Sequence, residues 1–331
     1  MAMQTYSYYP GCALERNAAV YHDSLMAVAE SLDLTFNEVE DWNCCGATEY
    51  ITLDLIPAYA LVGRNLALAA QNGNGRSLAA PCSACFLNLK KTDHYLAQSP
   101  ELNRKVNQAL AAGGLQYEPG SVHVKHLLEI ITEDVGLEKV ARAVKRPLYG
   151  LKVAPYYGCL IVRPVLGDTF DDAEQPTSMD ALMRTIGAEV VDFPAKAQCC
   201  GGHMTQISEE VALHLIFQLL KNAADHGADV IAAICPMCQL NLDAYQDAVN
   251  KRYGTDFHIP ILYFTQLLGL AFGFGEVMMG IGQELVDARP ALANIQIKPL
   301  KPPKRKRPSK TELPMPPMLE EIPRAAAHHE E

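Results

Sequence analysis

Asn43-Cys44-Cys45-Gly46 and Gln198-Cys199-Cys200-Gly201 are the stretches that decide how this chain folds. Neighbouring residues of a strand point to opposite faces. Adjacent cysteines can therefore serve one site only from a turn, and the glycine after each pair supplies the permissive backbone for it. Working outward, each pair is the middle of a five-cysteine pattern. The first pattern is Cys12, Cys44-Cys45 and Cys82-Ser83-Ala84-Cys85. The second is Cys159, Cys199-Cys200 and Cys235-Pro236-Met237-Cys238. Together they use all ten cysteines of the 331-residue chain. Gaps of 31 and 36 residues in the first copy answer gaps of 39 and 34 in the second. Two matched sets of thiolates imply two metal centres built by the same local architecture.

The repeat extends beyond the cysteines. Tyr9-Pro10-Gly11-Cys12 answers Tyr157-Gly158-Cys159, and Cys85-Phe86-Leu87-Asn88-Leu89 answers Cys238-Gln239-Leu240-Asn241-Leu242. A repeat this long means two related domains rather than a solenoid. Within each copy the elements alternate. Strands are expected at Gln4–Tyr9, Leu34–Val39 and Ser77–Ala80, and again at Lys152–Tyr157, Glu189–Phe193 and Asp229–Ile234. Apolar residues at helical spacing predict helices at Ala18–Ser31 and Leu53–Ala70, and at Ser178–Ile186 and Ser208–Ala224. A last strand and helix follow in each copy, over Val122–Ile131 and Ile259–Leu270. Strand–helix alternation implies an α/β fold of two tandem domains, each a small parallel sheet flanked by helices. The expected boundaries are 1–140 and 150–290, with a linker near Gly136–Gly150. A basic, proline-rich tail over 296–331 is expected to be disordered. Every cysteine group lies just after an expected strand. That gathers each set at the carboxyl edge of its sheet, where sites of such folds collect.

Bulk properties narrow the function. A formal net charge of -10 argues against nucleic acid as a partner. The opening MAMQTYSYYPGC lacks a basic region followed by an apolar run, so no secretory leader is expected. A reducing, cytoplasmic setting with metal-bound thiolates fits better than five disulfides. The apolar stretch from Ile259 to Gly282 contains Pro260, Gln266 and Glu276. It reads as a strand and buried helix rather than a transmembrane segment.

A structural zinc takes four ligands, and so does an ordinary cubane cluster. A fifth cysteine in both copies points to a site with more sulfur-accepting positions than either. Gly46, Gly201 and Gly202 are expected to expose backbone N–H groups toward cluster sulfurs, which tunes reduction potential. His203 and Glu49, close after the cysteine pairs, are candidate proton donors for product thiolates. Arg163 and Lys90 read as solvated cations rather than groups that steer an anionic substrate, and His123 and His126 as capping or core residues.

These residues carry a resemblance. Glu40-Asp41-Trp42-Asn43-Cys44-Cys45-Gly46-Ala47 and Cys235-Pro236-Met237-Cys238-Gln239-Leu240-Asn241-Leu242 are similar to segments of the cysteine-rich CCG domain. The two-copy arrangement resembles the B-type subunit of heterodisulfide reductase, with the sulfur-oxidation type the closer reading. The resemblance implies a non-cubane [4Fe-4S] cluster on Cys12, Cys44, Cys45, Cys82 and Cys85, and another on Cys159, Cys199, Cys200, Cys235 and Cys238. Zinc in the first motif is the alternative. It also implies a small disulfide or thiol substrate between the clusters, a ferredoxin-like iron–sulfur subunit (C-like) and a flavoprotein subunit (A-like). The activity expected is that of an oxidoreductase acting on sulfur compounds within a complex. The contrasting reading is a non-catalytic electron relay in a quinone-linked or dehydrogenase complex.

Overall fold

A computed structural model describes residues 3–47, 50–71, 77–167 and 170–297. Two four-stranded sheets, all parallel, form the framework. In the first copy the strands are β1 (Gln4–Tyr8), β2 (Leu34–Glu38), β3 (Ser77–Ala80) and β4 (His123–His126), in the order β2-β1-β3-β4. In the second they are β5 (Lys152–Tyr156), β6 (Glu189–Val190), β7 (Val230–Ala233) and β8 (Ile261–Tyr263), in the order β6-β5-β7-β8. The two orders are the same, as a duplication requires. In each sheet the chain leaves the first strand to one side and returns on the other. That reversal opens a crevice at the carboxyl ends of the strands. The two CCG-bearing halves and their flanking helices have the architecture the repeat implies. The basic proline-rich tail lies outside the described residues.

The helices bury one face each. Helix Leu55–Gln71 inserts Tyr59, Val62, Leu66 and Ala69 into the core, and Glu209–Asp225 inserts Leu213, Ile216 and Leu220. These positions fall on the apolar stripe of period 3.6. The helix Phe264–Ala271 is buried on every side, so the apolar run is core from Ile259 to Phe272, whereas Gly273 to Met278 lies mostly at the surface. No helix among the described residues is long and apolar enough to cross a membrane.

Two expected elements differ. The strand expected over Glu189–Phe193 closes after two residues. Leu151 and Val153 turn their carbonyls toward this edge, accepting from Glu189 and Val191 at 2.9 and 3.0 Å. Pro155 comes next on the same side and has no N–H to donate, so the ladder stops there. The expected linker over Gly136–Gly150 is partly helical, because Leu137–Ala143 packs against helix Ser178–Thr185 of the second copy.

The copies are joined by reciprocal helix contacts. Helix Ala19–Ser31 of the first lies on helix Phe264–Ala271 of the second. Ser24 Oγ and Thr265 Oγ1 meet there at 2.7 Å, fully buried. Tyr21 stacks on Tyr263, with centroids 4.3 Å apart and planes 7° from parallel. The Tyr21 hydroxyl reaches the Pro81 carbonyl at 3.4 Å and the Ile234 carbonyl at 3.3 Å. One side chain thus binds the residue before each C-x-x-C.

Because Tyr21 has no exposed surface, Tyr21→Ala is expected to cost about 3–5 kcal/mol through the cavity it leaves. Tyr21→Phe, which keeps the stack, is expected to cost about 0.5–1.5 kcal/mol. Urea denaturation of the two variants checks the order and the gap.

Candidate metal centre

Each cysteine quintet is assembled from three strand ends. Cys12 follows β1, Cys44 and Cys45 follow β2, and Cys82 and Cys85 follow β3; Cys159, Cys199, Cys200, Cys235 and Cys238 repeat this after β5, β6 and β7. Cys82 and Cys235 stand at the N-caps of helices Ser83–Gln98 and Pro236–Ala244, so Cys85 and Cys238 lie in the first turns.

The cysteine-pair turns are fixed by hydrogen bonds to their backbones. Asn65 Oδ1 accepts from Asn43 N, and Asn65 Nδ2 donates to Asn43 O, both at 2.9 Å. The Tyr9 hydroxyl donates to the same carbonyl at 2.7 Å. Asn88, three residues beyond Cys85, donates to Cys45 O at 3.2 Å and to Ala47 O. In the second copy Tyr156 donates to Gln198 O at 2.8 Å, and Asn241 donates to Cys200 O at 3.2 Å and Gly202 O at 2.8 Å. Tyr9 therefore corresponds to Tyr156, one residue earlier than the Tyr157 that the motif alignment pairs with it. Gly46, Gly201 and Gly202 all take positive φ. Gly201 N donates to Cys199 Sγ at 3.3 Å.

Two further glycines shape the site. A Cβ on Gly11 would lie 2.9 Å from Cys85 Sγ, and one on Gly158 would lie 3.1 Å from Cys238 Sγ; both residues have positive φ. Only a glycine lets the backbone before the first cysteine of a set come so close to the sulfur of the last. The repeated Gly-Cys dipeptide was the signal in the sequence, but its purpose depends on a sulfur more than 70 residues away.

The sulfurs are in mutual contact. Cys44 and Cys12 are 3.8 Å apart and Cys45 and Cys85 are 3.4 Å apart. Thiol hydrogen bonds from Cys44 and Cys85 pull Cys45 down to about 3, and one from Cys159 pulls Cys199 down to about 6. Their proton-holding partners Cys44, Cys85 and Cys159 are pushed up, with burial adding to the effect. Cys82 and Cys235 interact across the seam between the copies. All ten cysteines line one cavity of about 320 Å³.

Several thiols this close cannot all ionise unless positive charge stands among them. The donor set therefore fits a cationic metal–sulfur group. Among the described residues no group of three or more donors is arranged to hold a single metal ion. Ten sulfurs on the wall of one cavity suit polynuclear groups. Ser83 adds a buried hydroxyl with no protein partner on the same wall.

The other expected site residues divide. His203 lines the cavity, half-buried, at the start of the turn Met204–Ile207. Glu49 lies outside the described residues. Arg163 holds the Ala197 carbonyl and pairs with Glu174 at 3.4 Å. Lys90 sits 5.5 Å over the Phe86 ring, beside a separate surface pocket. His126 is a capping residue, its Nδ1 accepting from Leu128 N at 3.1 Å.

Two segments, 6–90 and 153–243, match the cysteine-rich (CCG) domain family. The chain is 32% identical over 283 residues to the 8-methylmenaquinol:fumarate reductase membrane anchor subunit of Wolinella succinogenes, covering 86% of this chain and 97% of that one. It is 30% identical over 296 residues to the B-type subunit of the ferredoxin/F420H2-dependent CoB-CoM heterodisulfide reductase of Methanosarcina acetivorans, covering 88% and 97%. A protein of Archaeoglobus profundus that is itself like the heterodisulfide reductase B-type subunit is 30% identical over 285 residues, covering 84% and 94%. Among solved structures, a hypothetical protein from Helicobacter pylori shares the fold, with a TM-score of 0.68 at 19% identity over 86% of this chain. This chain spans 52% of that protein's length. The fold and site thus define a protein of two cysteine-rich CCG domains. It belongs to the family of redox subunits that resemble the B-type subunit of heterodisulfide reductase.

Gly11→Ala and Gly158→Ala are each expected to lower the metal bound by their own copy and leave the other copy loaded. Metal analysis of the purified variants, with melting curves to confirm the fold, checks this.

Proposed function

We propose that each quintet holds an iron–sulfur cluster of the non-cubane [4Fe-4S] type, and that the chain is the catalytic subunit of a heterodisulfide-reductase-like complex. The ligands are Cys12, Cys44, Cys45, Cys82 and Cys85 for one cluster, and Cys159, Cys199, Cys200, Cys235 and Cys238 for the other. The observation that carries this reading is that both quintets face one cavity. Bound there, such clusters supply one-electron transfer and iron sites that accept a sulfur ligand. Splitting a disulfide takes two electrons, which is the reason to set two one-electron centres around one substrate space. Zinc would supply no electrons, so the first motif is read as a cluster too.

The chain's own residues bind and exclude. Leu160, Met204, Ile207 and Met237 give the cavity an apolar wall that suits a small disulfide, thiol or sulfane substrate. His203 stands on that wall and is the first proposed proton donor to a product thiolate. Glu49 is the second proposed donor. Gly46, Gly201 and Gly202 turn the backbone so that amide N–H groups face ligand sulfurs, as Gly201 does for Cys199. A cytoplasmic place in sulfur metabolism follows as the setting, with a ferredoxin-like iron–sulfur subunit and a flavoprotein as partners.

The 32% identity to a membrane anchor subunit of a quinol-linked fumarate reductase favours a second reading. In it the chain relays electrons to or from a quinone-linked partner and transforms no sulfur compound. Electron paramagnetic resonance of anaerobically purified protein separates the two. Added thiol is expected to alter the cluster signal in the catalytic case, and an unchanged signal favours the relay.

Intact protein is expected to carry about eight irons with matching sulfide. Cys45→Ser or Cys200→Ser is expected to lose about half of that iron and nearly all disulfide-reducing turnover. A serine variant with full iron and full turnover would refute the ligand assignment.

A further inference from the structure

Ser83 sits between Cys82 and Cys85, in the first turn of helix Ser83–Gln98. It is 2% exposed and lines the cysteine cavity. Its Oγ is buried without a hydrogen-bond partner. A hydroxyl left in that state costs stability, so native proteins seldom keep one without an acceptor. Resting on the reading that the first quintet holds a metal–sulfur cluster, we propose that Ser83 is a positioning residue whose hydroxyl donates a hydrogen bond to a sulfur atom of that centre and raises its reduction potential.

The duplication supplies a comparison within one molecule. Pro236 occupies the matching place between Cys235 and Cys238. Proline offers neither a side-chain donor nor a backbone N–H. Two other kinds of donor recur in both copies. Asn88 and Asn241 hold the cysteine-pair turns alike. Gly46 N–H serves Cys44 as Gly201 N–H serves Cys199. Ser83 against Pro236 is thus a difference in donors placed between ligand cysteines. A donor to a cluster sulfur stabilises the more negative, reduced state and shifts the potential upward. The two centres are not interchangeable on this account, and the first carries a donor that the second lacks.

The test compares wild type, Ser83→Ala and Pro236→Ser, each as the full chain purified anaerobically with iron quantified. Redox titration followed by electron paramagnetic resonance gives the potentials, with signals assigned to the two centres through Cys45→Ser and Cys200→Ser. Ser83→Ala is expected to keep its iron and melting temperature while the first centre's potential becomes more negative. Proton ENDOR is expected to lose one exchangeable coupling on that centre. Pro236→Ser is expected to move the second centre's potential upward. Unchanged potential and unchanged ENDOR in a fully loaded Ser83→Ala protein would overturn the proposal. If Ser83→Ala loses its first cluster, Pro236→Ser decides: an upward shift supports the role and no shift overturns it. Wild-type protein without iron would instead overturn the cluster reading itself, a result visible before any variant is made.

Discussion

Three parallel strands end side by side in each copy, and the sulfurs that follow them must share one small space. That crowding is the constraint on which the rest depends. Thiolates in contact repel, and burial deprives six of the ten, Cys45, Cys82, Cys85, Cys200, Cys235 and Cys238, of water that would screen them. Hydrogen bonds between neighbouring thiols draw Cys45 and Cys199 toward the ionised form while their partners hold the hydrogen. Backbone geometry meets the steric half of the problem. Glycines at 11 and 158 clear the way for Cys85 and Cys238, and paired asparagines lock the cysteine-pair turns to the neighbouring helices.

The same constraint explains why the copies are fused so tightly. A cavity shared by both quintets is useful only if its two walls keep their spacing. The stacked Tyr21 and Tyr263, the buried Ser24–Thr265 contact and the shared hydroxyl over Pro81 and Ile234 all lie along that seam. Ladder register makes Tyr263 the counterpart of His126, since Ala233 pairs with the one and Ala80 with the other. Each ends its strand and caps the helix that follows. The two have diverged in chemistry while keeping their place.

Much of this was legible in the sequence. The spacing of Cys12, Cys44, Cys45, Cys82 and Cys85, and its repetition, placed every sulfur after a strand, and β1, β2 and β3 end where expected to within a residue. What could not be read was whatever depends on a distant partner. Tyr21 meets Ile234 across 213 positions, and no local pattern marks it. Gly11 looks like any turn glycine until Cys85 is beside it. Ser83 is an ordinary residue in a C-x-x-C until its hydroxyl is found without an acceptor. The expected strand at Glu189–Phe193 failed for a related reason, since the proline that ends it lies in β5, the strand beside it.

The reciprocal packing of helix Ala19–Ser31 on Phe264–Ala271, and of Ser178–Thr185 on Leu137–Ala143, has a bearing on how such a protein arose. Contacts exchanged in this way are those of a twofold dimer. A single-copy ancestor could have enclosed the same hollow by self-association, and joining the genes then removed any dependence on concentration. Fusion also freed the halves to drift apart in sequence, so that one hollow came to have two unlike sides.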